Sequence, residues 1–198
     1  MRRQRQRGDT IVEVLFAITI FSLVAVGGLS IMNQGTLISQ RALEVTLVRQ
    51  QMDAQAEALR YLNAAYVASF GQGSAPVANS AAGQWAQATS DARIRAQPSP
   101  FGTTCAAPER SFVVNTATAR VVTSGFVPAS TFSQIRYDET TPTTINGIDG
   151  LWVEAVRGTG DPSAARFVDF HIRACWDSPG QATPMTLGTI VRLYEPQA

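Results

Sequence analysis

The chain has 198 residues, a length that suits one domain or one domain with an appendage. Its 16 basic residues are all arginines, four of them in the first seven positions, so residues 9–198 carry 12 arginines against 15 acids, a net charge of −3. That balance argues against a protein that coats nucleic acid, and one histidine with two cysteines leaves little material for a zinc or iron–sulfur site.

The N-terminal segment joins an arginine-rich stub to a long apolar run. Residues 14–40 contain no charge over 27 positions, which is more than a membrane-spanning helix needs. The basic stub predicts a cytoplasmic N-terminus with the rest of the chain outside. A secretory signal peptide would have a shorter apolar core and a better cleavage site than residues 24–28. A plain signal anchor does not explain Glu13, because a carboxylate deep in a membrane costs about 2.5–3.5 kcal/mol and needs a partner.

Residues 8–13, Gly-Asp-Thr-Ile-Val-Glu, resemble the processing site of type IV pilins and pseudopilins. That family has a short basic leader ending in glycine, a mature N-terminus with glutamate as its fifth residue, and an unbroken apolar helix. Gly8 matches the last leader residue, and Glu13 is fifth counted from Asp9. Phenylalanine usually follows the cut in the family, where this chain has Asp9.

The resemblance implies a processing and assembly chemistry for these residues. A prepilin peptidase would cut between Gly8 and Asp9 on the cytoplasmic side and methylate the new amine of Asp9. Glu13 would then pair with the amine of a neighbouring subunit during assembly. Two buried opposite charges that satisfy each other only in the filament would favour assembly and fix its axial register.

One long helix is predicted over residues 9–70, because no proline interrupts it and apolar residues recur at helical spacing beyond the membrane. The predicted divisions are a leader at 1–8, a transmembrane and assembly half at 9–32, an amphipathic half at 33–70 and a β-rich head at 71–198. Glu57 and Arg60 are a predicted ion pair one turn apart. The predicted buried face consists of Val45, Val48, Met52, Ala56, Leu59, Leu62, Tyr66 and Phe70. Gly27, Gly28 and Gly35 predict a kink or local unwinding in an assembled filament.

The head is predicted to contain a short helix at residues 82–89 and several strands. Segments 111–115 and 119–123 form one predicted pair, 151–157 and 167–176 form a hairpin, and 189–194 is the last strand. A long helix packed on a small antiparallel sheet is an α+β fold, and it is also the layout of pilin heads. Residues 71–150 otherwise appear irregular in composition, which favours a minor pilin over a more compact major one.

Cys105 and Cys175 are the one possible disulfide, and both lie in the part predicted to be outside, where oxidation is permitted. Two free buried thiols are the alternative.

No catalytic or metal site is predicted, so we expect no cofactor and no enzyme activity. His171 is the only imidazole and falls on a predicted solvated strand face, while Asp138 and Glu139 are adjacent acids in a threonine-rich loop. No nucleic-acid partner is predicted, since the head arginines are too scattered in sequence to indicate a basic patch: Arg93, Arg95, Arg110 and Arg120.

The resemblance implies a structural subunit of a type IV pilus-like filament, supporting adhesion or twitching motility. Its partners would be the prepilin peptidase, other pilin subunits, the pilus assembly platform and, before assembly, membrane lipid. It would sit in the cell membrane as a single-pass protein and then in an extracellular pilus. The alternatives are a pseudopilin of a type II-like secretion system and a membrane-anchored extracellular binding domain that never polymerises.

Overall fold

A computed structural model describes residues 9–71, 75–102, 104–157 and 166–196. The chain has an α+β fold and divides into two units, the first ending at Leu43 and the second beginning at Glu44. The described residues form two helices, α1 (Asp9–Ser69) and α2 (Ala81–Ala88), and eight strands. The strands are β1 (Val113–Asn115), β2 (Arg120–Val122), β3 (Phe126–Val127), β4 (Gln134–Tyr137), β5 (Ile145–Asp149), β6 (Leu151–Val156), β7 (Phe167–Trp176) and β8 (Met185–Tyr194).

Helix α1 runs for 61 residues and confirms the predicted long helix. It ends where Gly71 adopts a left-handed backbone with φ of 81°, a conformation that glycine reaches without a steric penalty and that commonly terminates helices. The predicted pair of Glu57 and Arg60 forms at 2.5 Å on the exposed face of the helix, where such a pair contributes little to stability.

The part of α1 in the second unit packs its apolar stripe into the core. Most of the predicted face is confirmed, since the following side chains are buried: Val48, Met52, Ala56, Leu59 and Leu62. Tyr66 is half-buried and lies against Trp85 with ring centroids 6.2 Å apart. Phe70 was predicted on this face but is 40% exposed, because it follows the last helical residue and leaves the helical repeat.

The main sheet has the order β6-β7-β8 with antiparallel pairing throughout, which confirms the predicted hairpin. Along β7 the predicted core-facing residues are all buried: Val168, Phe170, Ile172, Ala174 and Trp176. Strand β8 begins at Met185, four residues earlier than predicted. Pairing with β7 extends it through Gly188, a residue that weakens the local strand signal.

Two smaller sheets complete the second unit. The predicted pairing of β1 with β2 is confirmed, whereas the sheet β3-β5-β4 was not predicted. Within it β3 pairs with β5 in parallel, so this small sheet is mixed, beside the antiparallel main sheet that was predicted. Strands of two to five residues are too short to show a periodic pattern, and tertiary pairing decides their conformation.

Residues 71–150 are more regular than their composition suggested, because they contain α2 and five strands among their described residues. These elements still cover fewer than half of residues 71–150, and the expectation of a minor subunit stays a prediction. Helix α2 confirms the predicted short helix to within one residue. Ser80 caps it, with Oγ accepting from the backbone N–H of Gly83 at 3.1 Å, and Trp85 is fully buried in the core.

Candidate assembly site

The described part of the first unit is an apolar helix, and most of its side chains are exposed. Every side chain over residues 11–36 is exposed, and the large apolar ones from Ile11 to Met32 range from 49% to 76% exposed. A continuous apolar surface of this kind marks a segment that is covered by lipid or by other protein. By length and composition this part of α1 is able to cross a membrane.

Two hydroxyl groups in this segment bond to the helix itself, whereas the carboxylate of Glu13 has no such bond among the described residues. Thr19 Oγ1 donates to the carbonyl of Phe16 at 2.8 Å, and Ser22 Oγ donates to that of Ile18 at 2.7 Å. These bonds satisfy the hydroxyls without water. Glu13 is exposed, and within the described part of the chain its carboxylate has no hydrogen-bond or ion-pair partner. In a membrane this carboxylate therefore needs a partner from outside the described residues.

The predicted processing site falls at the limit of the described residues. Gly8 and the side chain of Asp9 lie outside them, so cleavage between Gly8 and Asp9 and methylation of Asp9 stay predictions. The backbone of α1 begins at Asp9. An amine created on Asp9 would thus lie at a helix N-terminus, one turn of about 6 Å from Glu13 along the axis.

The three glycines of the apolar segment lie within a continuous helix. Gly27, Gly28 and Gly35 belong to α1, and a Cβ added at any of them would meet no atom within 4 Å. No contact among the described residues therefore requires glycine there. Their predicted role in a filament stays a prediction.

Polar side chains fix the second part of α1 to the strands. Glu44 Oε2 accepts hydrogen bonds from Trp176 Nε1 at 3.1 Å and from Ser178 Oγ at 2.7 Å. Near the other end, Asn63 Nδ2 donates to the carbonyl of Tyr194 at 3.1 Å. These contacts tie the helix to the ends of β7 and β8, and the sequence analysis did not single out any of them.

Cys105 and Cys175 form the predicted disulfide, with their Cα atoms 5.1 Å apart. Both cysteines are buried and pack against Trp152. The bond joins β7 to a segment that crosses the outer face of the main sheet. We call residues 95–102 of that segment the strap.

Beneath the strap lies a buried carboxylate that the sequence analysis missed. Glu154 is fully buried and accepts from the backbone N–H of Ser99 at 2.8 Å and from Trp152 Nε1 at 3.2 Å. Arg173 donates to the carbonyl of Ser99 and lies 4.6 Å from the centroid of Phe101. Strand alternation puts Glu154 on the sheet face that the sequence pattern marks as exposed to solvent. The strap, which is distant from Glu154 in sequence, covers it there.

His171 shares this face and is half-buried, so the expected solvated position is only partly correct. Burial, reinforced by the nearby charge of Arg173, holds the pKa of His171 below its ordinary value. Asp169 accepts two hydrogen bonds from Arg192, each 2.7 Å long, and these lower the pKa of Asp169. No Ser or Cys nucleophile was predicted beside His171, and its cross-strand neighbour is Glu154.

The adjacent acids Asp138 and Glu139 lie in a turn after β4. Asp138 Oδ1 accepts from the backbone N–H groups of Thr140 and Thr141, both at 2.9 Å, and from Thr140 Oγ1. The hydrogen bonds from Thr140 and Thr141 hold the pKa of Asp138 below its ordinary value. Within the described ranges no group of three or more metal-ligating side chains occurs.

Three of the four arginines considered for a basic patch lie on neighbouring segments, and the expectation of no nucleic-acid partner stays a prediction. Arg93, Arg95 and Arg110 lie on two neighbouring segments beside the edge of β6. Each guanidinium donates from Nη1 to a backbone carbonyl on the opposite segment: Arg93 to Ser111 at 3.5 Å, Arg95 to Glu109 at 2.7 Å and Arg110 to Ile94 at 3.2 Å. Arg120 lies on β2 and makes no such bond.

In comparisons with known proteins, no family model, no curated protein and no solved structure matches this chain.

Proposed function

We propose that this chain is the precursor of a pilin-type structural subunit. It inserts into the cell membrane as a single-pass protein and loses residues 1–8 to a prepilin peptidase. It then polymerises through residues 9–32 into a type IV pilus-like filament that serves adhesion or twitching motility. The observation that carries the proposal is the exposed apolar helix surface over residues 11–36, with one carboxylate, Glu13, that has no partner within the described residues.

Lipid alone satisfies only part of this surface. Acyl chains cover apolar side chains, and the hydroxyls of Thr19 and Ser22 already bond within the helix. Glu13 stays unsatisfied in lipid, at a cost of several kcal/mol. The new amine of a neighbouring copy supplies the missing positive charge, so assembly through this helix satisfies the group that the membrane does not.

The second unit fits an extracellular location. Its disulfide between Cys105 and Cys175 is typical of an oxidising compartment. The four arginines of residues 1–8 favour a cytoplasmic N-terminus, which leaves the second unit on the other side of the membrane. The partners are then the peptidase, the assembly platform, other subunits and membrane lipid.

The proposal is tested by removing the charge of Glu13 while keeping its shape. Full-length Glu13→Gln and the matched variant Glu57→Gln, whose carboxylate pairs only with exposed Arg60, are expressed with a pilus assembly system. The protein in the sheared surface fraction and in the membrane fraction is then measured by immunoblotting. We expect Glu13→Gln to stay in the membrane, with at least about a tenfold loss from the sheared fraction, because a buried ion pair is lost.

Glu57→Gln is expected to behave like the unmodified chain. Equal amounts of Glu13→Gln and unmodified protein in the sheared fraction would contradict a role for Glu13 in assembly. An unmodified chain that never enters the sheared fraction would instead indicate an anchored binding domain.

A further inference from the structure

Strand β8 is an edge strand of the main sheet, and its outer side is open. The backbone N–H of Glu195 donates to the carbonyl of Arg166, so the alternation of an antiparallel ladder turns the backbone groups of odd-numbered β8 residues towards β7. The even-numbered residues therefore present their N–H and C=O groups at the outer edge. Over residues 186–192 none of these outward groups has a hydrogen bond within the described part of the chain.

The usual protections of an edge strand are missing from β8. The strand has 10 residues in continuous register with β7, and it contains no proline, no lysine and no bulge. Its one charged residue, Arg192, is paired with Asp169 on β7. Natural proteins use such devices to prevent pairing between edges, so the backbone of β8 is suited to receive a further strand.

Helix α1 runs beside β8 in the same direction. At one end Glu44 accepts from Trp176, which pairs with Met185 at the start of β8. At the other end Asn63 donates to the carbonyl of Tyr194. A helix rises about 28 Å from residue 44 to residue 63, and a strand about 30 Å from residue 185 to residue 194, so the two elements match in length. An antiparallel copy of β8 therefore brings a reversed copy of α1 with it.

A cleft between α1 and β8 carries one charge of each sign. Its volume is about 270 Å³, and it is lined by Arg49, Met52, Asp53, Leu187, Gly188 and Thr189. Arg49 and Asp53 are exposed, and neither forms an ion pair within the described residues. The two residues are about one helical turn apart on α1. A second copy with α1 reversed therefore sets Arg49 of each copy against Asp53 of the other.

The side chains of β8 allow this pairing in one register, with Thr189 of the two copies opposite each other. The outward backbone groups of Gly188 then meet those of Ile190, and those of Thr186 meet those of Arg192. Because Arg192 faces a threonine, no two like charges lie opposite each other along the strands.

Two exposed apolar side chains lie at the same edge. Ile190 is 59% exposed and Phe101 of the strap is 41% exposed. In this register Ile190 of one copy lies opposite Gly188 of the other, where there is no side chain. A Cβ placed at Gly188 would be 3.8 Å from the ring of Phe101. Ile190 is therefore received beside an aromatic ring, and apolar burial adds to the backbone pairing.

We propose that β8 pairs antiparallel with β8 of a second copy on a facing surface. The two copies of residue 44, where each chain enters the second unit after its membrane segment, then lie at opposite ends of the pair. Neighbours in one membrane enter from the same side, so this pairing suits copies anchored in two surfaces that face each other. It rests on the proposed function and gives the adhesive role a partner, the same protein on another cell. Each contact is a closed two-fold pair, and many of them act together between two surfaces.

Vesicle clustering tests the contact. Full-length chains are reconstituted in phosphatidylcholine vesicles that carry either a donor or an acceptor lipid dye, and energy transfer between vesicles is measured after mixing. The variants are Arg49→Asp, Asp53→Arg and Ile190→Pro, of which the last removes an outward N–H at a position where an edge strand tolerates proline. The matched controls are Glu57→Arg, which lies on α1 outside the cleft, and Ile190→Val, which keeps the N–H.

We expect the unmodified chain to raise energy transfer at least about tenfold above that of protein-free vesicles, because many contacts act together. Arg49→Asp alone and Asp53→Arg alone are each expected to lower it at least about fivefold, because like charges then face each other. Mixing vesicles of these two variants is expected to restore transfer, since their clefts carry opposite charges, and that recovery also shows that both variants are folded. Ile190→Pro is expected to lose clustering, and both controls to match the unmodified chain.

Three results would overturn the contact: no clustering by the unmodified chain, no recovery when the two charge variants are mixed, or equal clustering by Ile190→Pro and Ile190→Val. Each of them leaves the proposed filament intact, because that proposal depends on Glu13 and on the N-terminus produced by cleavage. Conversely, normal sheared filaments from Glu13→Gln would contradict the filament proposal, while the clustering result still decides the contact through β8.

Discussion

Two glutamine side chains of the second unit substitute for backbone partners in its sheets. Gln55 on α1 donates to the carbonyl of Val114 at 2.8 Å and accepts from its N–H at 2.7 Å, as a neighbouring strand would. Gln84 on α2 bonds similarly to the N–H of Val121 at 2.7 Å. The two helices are thereby joined to opposite strands of the β1–β2 pair by hydrogen bonds, of which those of Gln55 are buried.

Gln55→Ala is predicted to destabilise the chain by about 3 kcal/mol, because it leaves both polar groups of Val114 buried and unpaired. Gln50→Ala, an exposed site on the same helix, is the control and should change stability little. The free energy of unfolding is measured by denaturant titration of the full-length chain in detergent, followed by tryptophan fluorescence. Equal losses in the two variants would contradict the role given to Gln55.

His171 gives stability a pH dependence of known sign. Burial and Arg173 lower its pKa in the folded chain, so below its ordinary value of 6.5 the unfolded chain binds a proton that the folded chain does not. The contribution of His171 to the free energy of unfolding is therefore fully present above pH 6.5 and decreases as the pH falls below that value. Asp169 acts at lower pH, because its contribution is lost only as pH falls through its lowered folded pKa.

His171→Gln is predicted to flatten the loss of stability between about pH 7 and pH 5, since this is the only histidine in the chain. Unfolding midpoints in urea at the two pH values measure the effect. Asp169→Asn should leave this interval nearly unchanged. A loss over the interval as large in His171→Gln as in the unmodified chain would show that another group titrates there.

Among the elements, the strap depends on the disulfide between Cys105 and Cys175, two residues that are far apart in sequence. It covers Glu154 and Trp152, and the disulfide that follows it closes a loop with a sequence separation of 70. Burying a carboxylate against neutral donors is costly. Restricting the unfolded chain through this loop offsets that cost and keeps the strap in place.

Replacing both Cys105 and Cys175 by serine is predicted to lower the free energy of unfolding by about 4 kcal/mol in the chain-entropy account. Hydrogen exchange at the Ser99 amide should accelerate more than at Val114, because Ser99 bonds to the carboxylate that the strap covers. Treatment of the unmodified chain with dithiothreitol serves as the reduced control. Unchanged stability, or protection at Ser99 equal to the oxidised chain, would contradict this dependence.

Elements with long periodic patterns could be predicted from the sequence. The stripe through Val48, Met52 and Leu59 and the alternation along β7 each repeat over several residues, and both are buried as predicted. The sequence analysis missed Gln55, which lies at helical spacing between Met52 and Leu59. A polar residue on an apolar stripe is itself a signal, so Gln55 could have been found. The two-residue strand β3 offered no such pattern.

The features of the candidate site also differ in whether the sequence alone could predict them. The apolar run and Glu13 are adjacent in sequence, so the exposed helix surface could be predicted locally. Arg95 and Arg110 meet only because their two segments lie side by side at the edge of β6, and sequence separation alone suggested that they were scattered. Contacts of this kind depend on tertiary pairing that no local pattern encodes.

At the scale of the whole molecule, the two units differ in what covers their apolar side chains. The second unit has its own core around Trp85, Phe170 and Trp176. The first unit exposes its apolar side chains in the single chain, so its stability in a cell depends on lipid or on other copies. Under the proposed function, processing after Gly8 would create the positive charge for Glu13 and would convert a membrane protein into an assembling subunit.

The mass of the N-terminal peptide of the mature protein tests this account most directly. The chain is isolated from membranes and from sheared surface material and is analysed by mass spectrometry after proteolysis. We predict a peptide that begins at Asp9, with or without one added methyl group, in both fractions. A peptide that retains residues 2–8 in both fractions would contradict processing, and Glu13 would then have no amine to pair with.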